Sequence, residues 1–505
     1  MSAAGIIRSV GAEPCRPWPR HILPQAGWAA LALALRDDPL VLLALWADTV
    51  QVHALFLDET AGTVLPVSAF VEDGAYPALS PARPGAAWFE RMVQDLWGHV
   101  ASGSTADRSW LDHGYWPLTH PLSLRPGMPP ASPEPPDFPA FPPDVMQLPV
   151  GPLAGLVEEA AHVRLAVHGS RVVRAESRLG YAHKGTLALM RGKSPRTAAR
   201  FAARLSGDAT VAHALAFATG AEAALAVTAP PRAAGLRTIM AEMERIAVHL
   251  GDLTTLARLA GHARLAEQCG VHRETCLRAA EAAFGHRLMM DCVVPGGVAV
   301  DIQTDGDEAI LRAVGTLSAE LPELRRAVET GSFADTLVGR GVAGRDDVVA
   351  LAVGGVAGRA ANRPFDARRF SAGTAVPDAI SAWSPVVETA GDACARNRIR
   401  LSEIADSLHL VSAALERLPD RGGTDGALTV ALPQTSGEGI GCAESARGDV
   451  WHWLRLDHGQ IAAVFPRDPG WALWPLAERA LVGAAAEECG LIRASFSLPA
   501  SGMDL

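Results

Sequence analysis

The sequence predicts an α+β protein: a small α/β amino-terminal domain over residues 1–116, a proline-rich linker over 117–152, and a large, mainly helical domain with β decoration over 153–505. Three observations predict this. Between Pro117 and Pro152 the chain reads PLTHPLSLRPGMPPASPEPPDFPAFPPDVMQLPVGP, a proline density that no helix or central strand holds. Ahead of it, apolar strand-like runs are mixed with one helical pattern; behind it, long Ala- and Leu-rich stretches repeat near every 3.6 positions. At 505 residues the chain is long enough for two or three domains, each with its own core.

In the small domain, LVLLALWADTVQVHALFLD followed by GTVLPVSAFV predicts strands joined by turns. The segment AAWFERMVQDLWGHV predicts an amphipathic helix with Phe89, Met92, Val93, Leu96 and Trp97 on its buried face. Glu90, Arg91 and Asp95 then lie towards water or a partner. The proline segment predicts an extended, semi-rigid strap. The large domain opens with HVRLAVHGSRVVRAES, a hairpin turning at His168-Gly169-Ser170. Helical periodicity follows over 195–227, 233–259, 264–290, 305–330 and 392–417, with polar faces narrow enough for mutual packing. A late β segment runs from ALTVALPQ through VWHWLRLDHGQIAAVFP.

Composition excludes several functions. A formal net charge of −10 and only 3 Tyr and 13 Phe argue against a nucleic-acid binder, so no nucleic-acid partner is expected. The seven cysteines include no C-x-x-C pair, which argues against disulfide pairing, a cysteine-rich zinc site or an iron–sulfur cluster on this chain, and fits a reducing cytoplasm. The amino terminus lacks the apolar core of a signal peptide, and Arg36, Asp37 and Asp38 interrupt LALALRDDPLVLLALW short of a membrane span. Any membrane connection is expected to run through partner subunits.

Five stretches carry candidate chemistry. GRGVAG (Gly339–Gly344) matches a dinucleotide fingerprint literally, but no strong strand feeds it, which favours glycines that permit turns or close helix contact. Cys269, His272 and Cys276 share one side of a helix, three ligands short of the fourth a zinc site needs; buried small hydrophobes are the favoured reading. In AEMERIAVHLGDL, Glu242, Glu244, Arg245, His249 and Asp252 can form an ionic ladder, structural or functional. ESRLGYAHKG (Glu176–Gly185) gathers a carboxylate, an arginine, a tyrosine, a histidine and a lysine around two glycines, as a cleft lining or a strand-to-helix loop would. RLSGDATVAH (Arg204–His213) crowds polar groups around Gly207.

With ESRLGYAHKG and RLSGDATVAH together, the sequence resembles the large subunit of nickel–iron hydrogenases, in the branch shared with respiratory complex I and formate-hydrogenlyase-type hydrogenases. PPRAAGLRTIMAEMERIAVHLGDL, FGHRLMMDCVVPGGV, AANRPFDARR, GDACARNRIRLSEIADSLHLV and GIGCAESARGDVWHWLRLDHGQ agree in order, and SFSLPASGMDL falls where that family ends its core. The likeness covers nearly all of residues 151–505. WFERMVQDLWGHVASGSTADRSWLDHG with HPL is similar to the C-type subunit of complex I, which formate-hydrogenlyase hydrogenases carry fused in this order.

The resemblance implies two C-x-x-C pairs holding nickel and iron, the first inside R-x-C-x-x-C-x-x-x-H. Here Arg204 and His213 keep that frame while Ser206 and Ala209 take the thiolate places, and Pro499 and Gly502 stand where the second pair would be. Soft thiolates hold these metals, so the departures imply a chain without a nickel–iron centre and without cofactors of its own. In complex I the cavity reduces quinone beside an iron–sulfur cluster; the places of its tyrosine and histidine match Gly207 and Ala154, and an acidic position after H-K/R-G matches Leu187. The family further implies a small iron–sulfur partner carrying a 4Fe-4S cluster, membrane subunits, quinone as a candidate ligand, and a place on the cytoplasmic face of the membrane.

Glu176, Arg178, His183, Arg204, Asp208 and His213 are the expected site residues, beside Tyr181 and Lys184. Three readings follow: an electron-transfer subunit of a complex I-like oxidoreductase, a redox active site with unfamiliar residues, and a non-catalytic scaffold coupled to ion or inorganic-carbon transport. A sealed apolar cavity around Ser206 favours the scaffold, and a solvent-connected tunnel lined by the histidines favours catalysis.

Overall fold

A computed structural model describes residues 1–106, 108–129, 141–153, 159–370, 384–423 and 425–505. Ala154 and the middle of the proline strap, 130–140, lie outside the described residues.

The small domain begins with α1 (Ala3–Arg8), β1 (Ala12–Glu13), β2 (Arg20–Leu23) and α2 (Gln25–Ala34). It continues through β3 (Val41–Ala47), β4 (Gln51–Asp58), β5 (Thr63–Phe70), β6 (Ala75–Pro77), α3 (Ala86–Trp97) and β7 (Val100–Ser102). Five strands form one sheet in the order β1-β2-β5-β4-β3. Nearly every residue of β3 and β4 is buried, which explains why both read as continuous apolar runs rather than alternating ones. The buried face of α3 is as the spacing predicts, but its charged residues are not in water. The Glu90 carboxylate accepts from Leu79 N, Ser80 N and Ser104 Oγ, and Asp95 accepts from Trp110 N and Leu111 N at 2.7 Å each. Arg91 donates to the carbonyls of Arg108 and Ser109. All three are buried because irregular chain packs over them and needs partners for its backbone: the segment between β6 and α3 at Glu90, and the loop after β7 at Arg91 and Asp95.

The strap ends in a strand. β8 (Val145–Val150) is the edge of a three-stranded sheet with β9 (His162–His168) and β10 (Arg171–Arg178), in the order β10-β9-β8. Pro149 is tolerated there because an edge strand has one unpaired side. The β9–β10 turn falls at Gly169-Ser170, as expected.

Helices follow: α4 (Thr186–Met190), α5 (Pro195–Ala202), α6 (Thr210–Leu225), α7 (Pro231–Leu259) and α8 (Ala263–Phe284), then the short pair β11 (Val293–Val294) and β12 (Gly297–Val298). After them come α9 (Gly306–Glu329), α10 (Gly331–Leu337), α11 (Arg345–Ala350), α12 (Gly355–Ala360) and α13 (Ala393–Glu416). The five helical patterns thus stand with two exceptions: the first divides into α5 and α6 around residues 203–209, and the third ends at Phe284, short of the expected 290. GRGVAG joins α10 to α11 with no strand before it, and Gly341 (φ 58°) permits the turn against Ile492 and Arg396.

The late β segment is the antiparallel sheet β13 (Gly437–Ser445), β14 (Gly448–Asp457) and β15 (Gln460–Arg467), followed by α14 (Gly470–Leu481) and α15 (Cys489–Phe496). β13 lies directly on α6. A Cβ at Gly441 would meet the Ala216 carbonyl oxygen at 2.1 Å, so glycine at alternate positions lets strand and Ala-rich helix backbones touch.

The opposite face of this sheet receives the small domain. Trp46 stacks on Phe465 with centroids 5.4 Å apart, and Phe89 stacks on Trp471 at 4.4 Å. Arg20 grips Glu438 with two bonds of 2.6 and 3.1 Å, Trp453 donates to the same carboxylate, and Arg455 pairs with Asp48 at 2.6 Å. Removing Glu438 leaves Arg20 buried without its carboxylate partner. Glu438→Ala is expected to destabilise the chain by roughly 3–5 kcal/mol, read by chemical denaturation. Stability within about 1 kcal/mol of the parent, the range of an exposed ion pair, would contradict this rivet.

Candidate functional site

RLSGDATVAH folds as the turn between α5 and α6 and the first turn of α6. Ser206 and Ala209 are buried, while Asp208 projects half-exposed from the turn. The α6 amino terminus is capped from α7: Glu244 accepts from Val211 N at 2.6 Å and from Ala212 N at 3.0 Å. Burial holds the Glu244 carboxyl proton-bound up to about 8, against those two bonds.

A cleft of about 490 Å³ opens beside this turn. Gly207, Asp208 and Glu244 line one side and Ser497, Leu498 and Pro499 another. It therefore lies between the two stretches that carry the four ligand places of the hydrogenase frame. Its floor is ionic. Arg447 donates to Asp208 at 2.6 Å and also pairs with Asp252, which accepts from Arg400 at 3.0 Å. Arg400 in turn donates to the Ser495 carbonyl and to Ser497 Oγ, fixing the segment that follows α15.

Behind the cleft sits a sealed relay. His213 Nε2 meets Asp468 Oδ2 at 3.0 Å, and His213 Nδ1 meets His452 Nε2 at 3.0 Å. A carboxylate only accepts, so His213 donates to Asp468 from Nε2, and the two rings share one proton between His213 Nδ1 and His452 Nε2. Full burial, with His213 beside it, holds His452 neutral. Asp468 fills the space next to Gly502: a Cβ there would lie 2.2 Å from Asp468 Oδ2. Serine, alanine, proline and glycine at 206, 209, 499 and 502, with a carboxylate packed against the last, do not fit a thiolate-held bimetallic centre.

A larger network extends from the cleft floor into the core. Arg245 pairs with Glu242 at 3.0 Å and Glu403 at 3.5 Å, and His249 donates to Glu403 at 2.9 Å. Arg359 reaches Glu403, Glu444 and Asp366, and Arg368 reaches Glu242 and Asp366. The ladder read from AEMERIAVHLGDL is thus real and buried, and it ties α7 to α13 and β13 rather than lining the surface.

The other expected residues go elsewhere. Arg204 forms an exposed pair with Asp291 through bonds of 2.5 and 2.7 Å, outside the cleft. Glu176 and Arg178 lie on β10; Glu176 pairs with Arg174, and neither lines the cleft. His183 stacks on Trp116 at 4.5 Å and donates to the Asp504 carbonyl at 2.5 Å, lining a second pocket of about 410 Å³ with Lys184 and Leu187. Asp504 bolts ESRLGYAHKG in place, accepting from Gly180 N and Ala182 N. The structure brings Asp208 to the cleft, seals His213 behind it and sends His183 to another pocket. The cavity is neither apolar and closed nor a histidine-lined tunnel. Cys269 and Cys276 are buried thiols, each pushed up to about 12, and His272 pairs with Glu320 on the outer side. Cys442 and Cys489 donate to the carbonyls of Ala367 and Ala485.

Residues 261–436 match the family described as the respiratory-chain NADH dehydrogenase 49 Kd subunit. Hydrogenase-4 component G of Escherichia coli (strain K12) is 27% identical over 87% of this chain and 78% of its own length. Formate hydrogenlyase subunit 5 of the same organism is 27% identical over 83% and 74%. The D-type subunit of NADH-quinone oxidoreductase from Acidiphilium cryptum (strain JF-5) is 30% identical over 54% and 66%.

The chain belongs to the branch that joins the complex I 49-kDa subunit to the large subunits of membrane hydrogenases.

A chain of an archaeal respiratory complex, the membrane-bound sulfane sulfur reductase, shares its fold: TM-score 0.66 at 23% identity, covering 72% of this chain and 100% of that one. Among the described residues no helix is long and apolar enough to cross a membrane.

Sequence reasoning missed Arg447, His452, Asp468 and Asp504. Arg447 and His452 stood inside GIGCAESARGDVWHWLRLDHGQ, but their partners are more than 190 residues away in the chain. Asp468 carried no local signal.

Glu244 gives a pH signature. Its folded-state carboxyl titrates above its unfolded value, so its contribution is fully present below about pH 4.5 and is lost as pH rises through about 8. Chemical denaturation at pH 6 and pH 9 (roughly bracketing this loss) is expected to show stability falling with pH in the parent and a flatter profile in Glu244→Gln. Equal slopes would place the proton elsewhere.

Proposed function

We propose that this chain is the fused C-plus-D-type subunit of a membrane-associated oxidoreductase complex, and that its cleft serves an electron acceptor other than hydrogen. The observation that carries the reading is the cleft itself. It stands at the frame of the lost ligand places, with Asp208, Arg447 and Asp252 on its walls, Arg400 bound to Asp252 beneath them, and the Asp468–His213–His452 relay behind it. Its ligand set supports a chain without a nickel–iron centre.

Electrons would arrive from a 4Fe-4S cluster on a small iron–sulfur partner, with membrane subunits holding the assembly to the inner face of the cell membrane. The names of the relatives support this setting, since hydrogenase-4, formate hydrogenlyase and NADH-quinone oxidoreductase are multi-subunit systems. This chain's residues would bind the acceptor and supply protons. Asp208 is the group placed for that exchange, because it is a half-exposed carboxyl group at the cleft.

The scaffold reading draws on His213 and His452, which are fully buried and do not line the cleft. Purification of the tagged chain from membranes separates the two. Co-purification of an iron–sulfur subunit with acceptor-reducing activity and no stoichiometric nickel is the expected result. Asp208→Asn is expected to lower turnover by about 10–100-fold with the subunit composition unchanged. Stoichiometric nickel, or full turnover in Asp208→Asn, overturns the proposal.

A further inference from the structure

The charges around the cleft are not balanced. Arg258, in the last turn of α7, and Arg273, on α8, are exposed at its mouth. Neither side chain has a hydrogen-bond or ion-pair partner among the described residues. Arg287 stands beside them, bound to Glu274 at 2.8 Å. Deeper in, Arg447 is buried and its Nε has no partner among the described residues, although its two terminal nitrogens are engaged.

Each carboxylate on the walls is engaged with another partner, and none pairs with Arg258 or Arg273 among the described residues. Glu159 accepts from Ala500 N, Ser501 N and Ser501 Oγ. Asp208 and Asp252 are neutralised by Arg447 and Arg400. Glu244 is held towards its neutral form by burial. What remains for a visitor is a pair of free guanidinium forks leading to a buried guanidinium edge. Such forks match the planar or tetrahedral oxygens of an oxyanion or carboxylate with paired charge-assisted bonds. A flat neutral ring would instead want aromatic walls, and Trp474 is the one aromatic side chain that lines this cleft among the described residues.

We infer that the cleft binds a small anion, an oxyanion or carboxylate, drawn in by Arg258 and Arg273 and received near Arg447. The inference rests on the reading of this cleft as the acceptor site, and names the chemical class of what it accepts.

The test uses the full-length chain titrated with sulfate and, separately, formate, at constant ionic strength made up with chloride. Thermal shift and isothermal titration provide the readouts. A saturable response to at least one probe is expected, with chloride inert; which probe responds assigns the oxyanion or the carboxylate. In the double variant Arg258→Gln/Arg273→Gln the apparent affinity is expected to fall by about tenfold or more, as loss of two charge-assisted contacts implies. The anion-free Tm should not move, because both side chains are exposed and unpaired. No saturable response, or equal affinity in the double variant, overturns the inference. So does loss of a protein subunit from the complex in the double variant with flat anion titrations, which would make the mouth a docking surface. If the intact complex reduces a neutral quinone with a KM indifferent to the double variant, this inference fails while the acceptor-site reading stands. Full turnover in Asp208→Asn removes the reading itself.

Discussion

Charge taken out of water has to be met by opposite charge, and in this molecule that constraint sits at the centre of the large domain. Arg245 and Arg359 are buried, and Arg368 nearly so, together with Glu242, Glu403, Glu444 and Asp366. Each guanidinium joins carboxylates from different elements, so α7, α13, β13 and the segment after α12 cannot part without stranding an ion. Such a cluster contributes little net stability compared with apolar packing of the same volume, but breaking it is costly. Its effect is therefore on uniqueness: it fixes which faces of three largely buried elements meet. Three arginines face four carboxylates, and the imbalance falls on Glu444, whose carboxyl is pushed up to about 7 by burial and by Asp366 beside it.

The cleft inherits its shape from this arrangement. Asp252 lies three residues beyond His249 on α7, and it passes the ionic chain outwards to Arg447 and Asp208. Because Arg400 also binds the Ser495 carbonyl, the wall that carries Pro499 is held by the same chain. On the far side, Asp468 fills the volume next to Gly502 that a side chain at 502 would need. The place that the resemblance assigns to a ligand is thus bordered by the partner of a histidine. Substituting one thiolate back would meet a packed carboxylate before it met an ion.

Local pattern made much of the fold legible. The long helices and the β9–β10 hairpin were readable because periodicity and a two-residue turn are short-range signals. The family likeness was readable because its motifs occur in order, and it led to the turn at residues 204–213 that borders the cleft. The partners were not legible. Asp468 lies 255 residues from His213, and no spacing rule joins them. Glu90, Arg91 and Asp95 were expected to face water or a partner because helical charge is usually solvated; here the irregular segments before and after α3 use them as backbone partners. Polar density in the sequence marked the neighbourhood only: Arg204 lies on the solvent side of its turn and Glu176 on β10, both outside the cleft.

The two halves of the ionic system are electrostatically continuous, and this bears on how a charge at the cleft is felt. His249 bonds Glu403 on one side and is influenced by Asp252 on the other, so it links the cleft floor to the inner cluster. A negative charge arriving near Arg447 draws on the guanidinium that now balances Asp208 and Asp252. The field at Asp252 then becomes more negative, which favours proton retention at the inner groups nearest to balance. Glu444 is the carboxyl closest to that condition near neutral pH. The reach of this coupling follows from low polarisability and full burial rather than from any moving part.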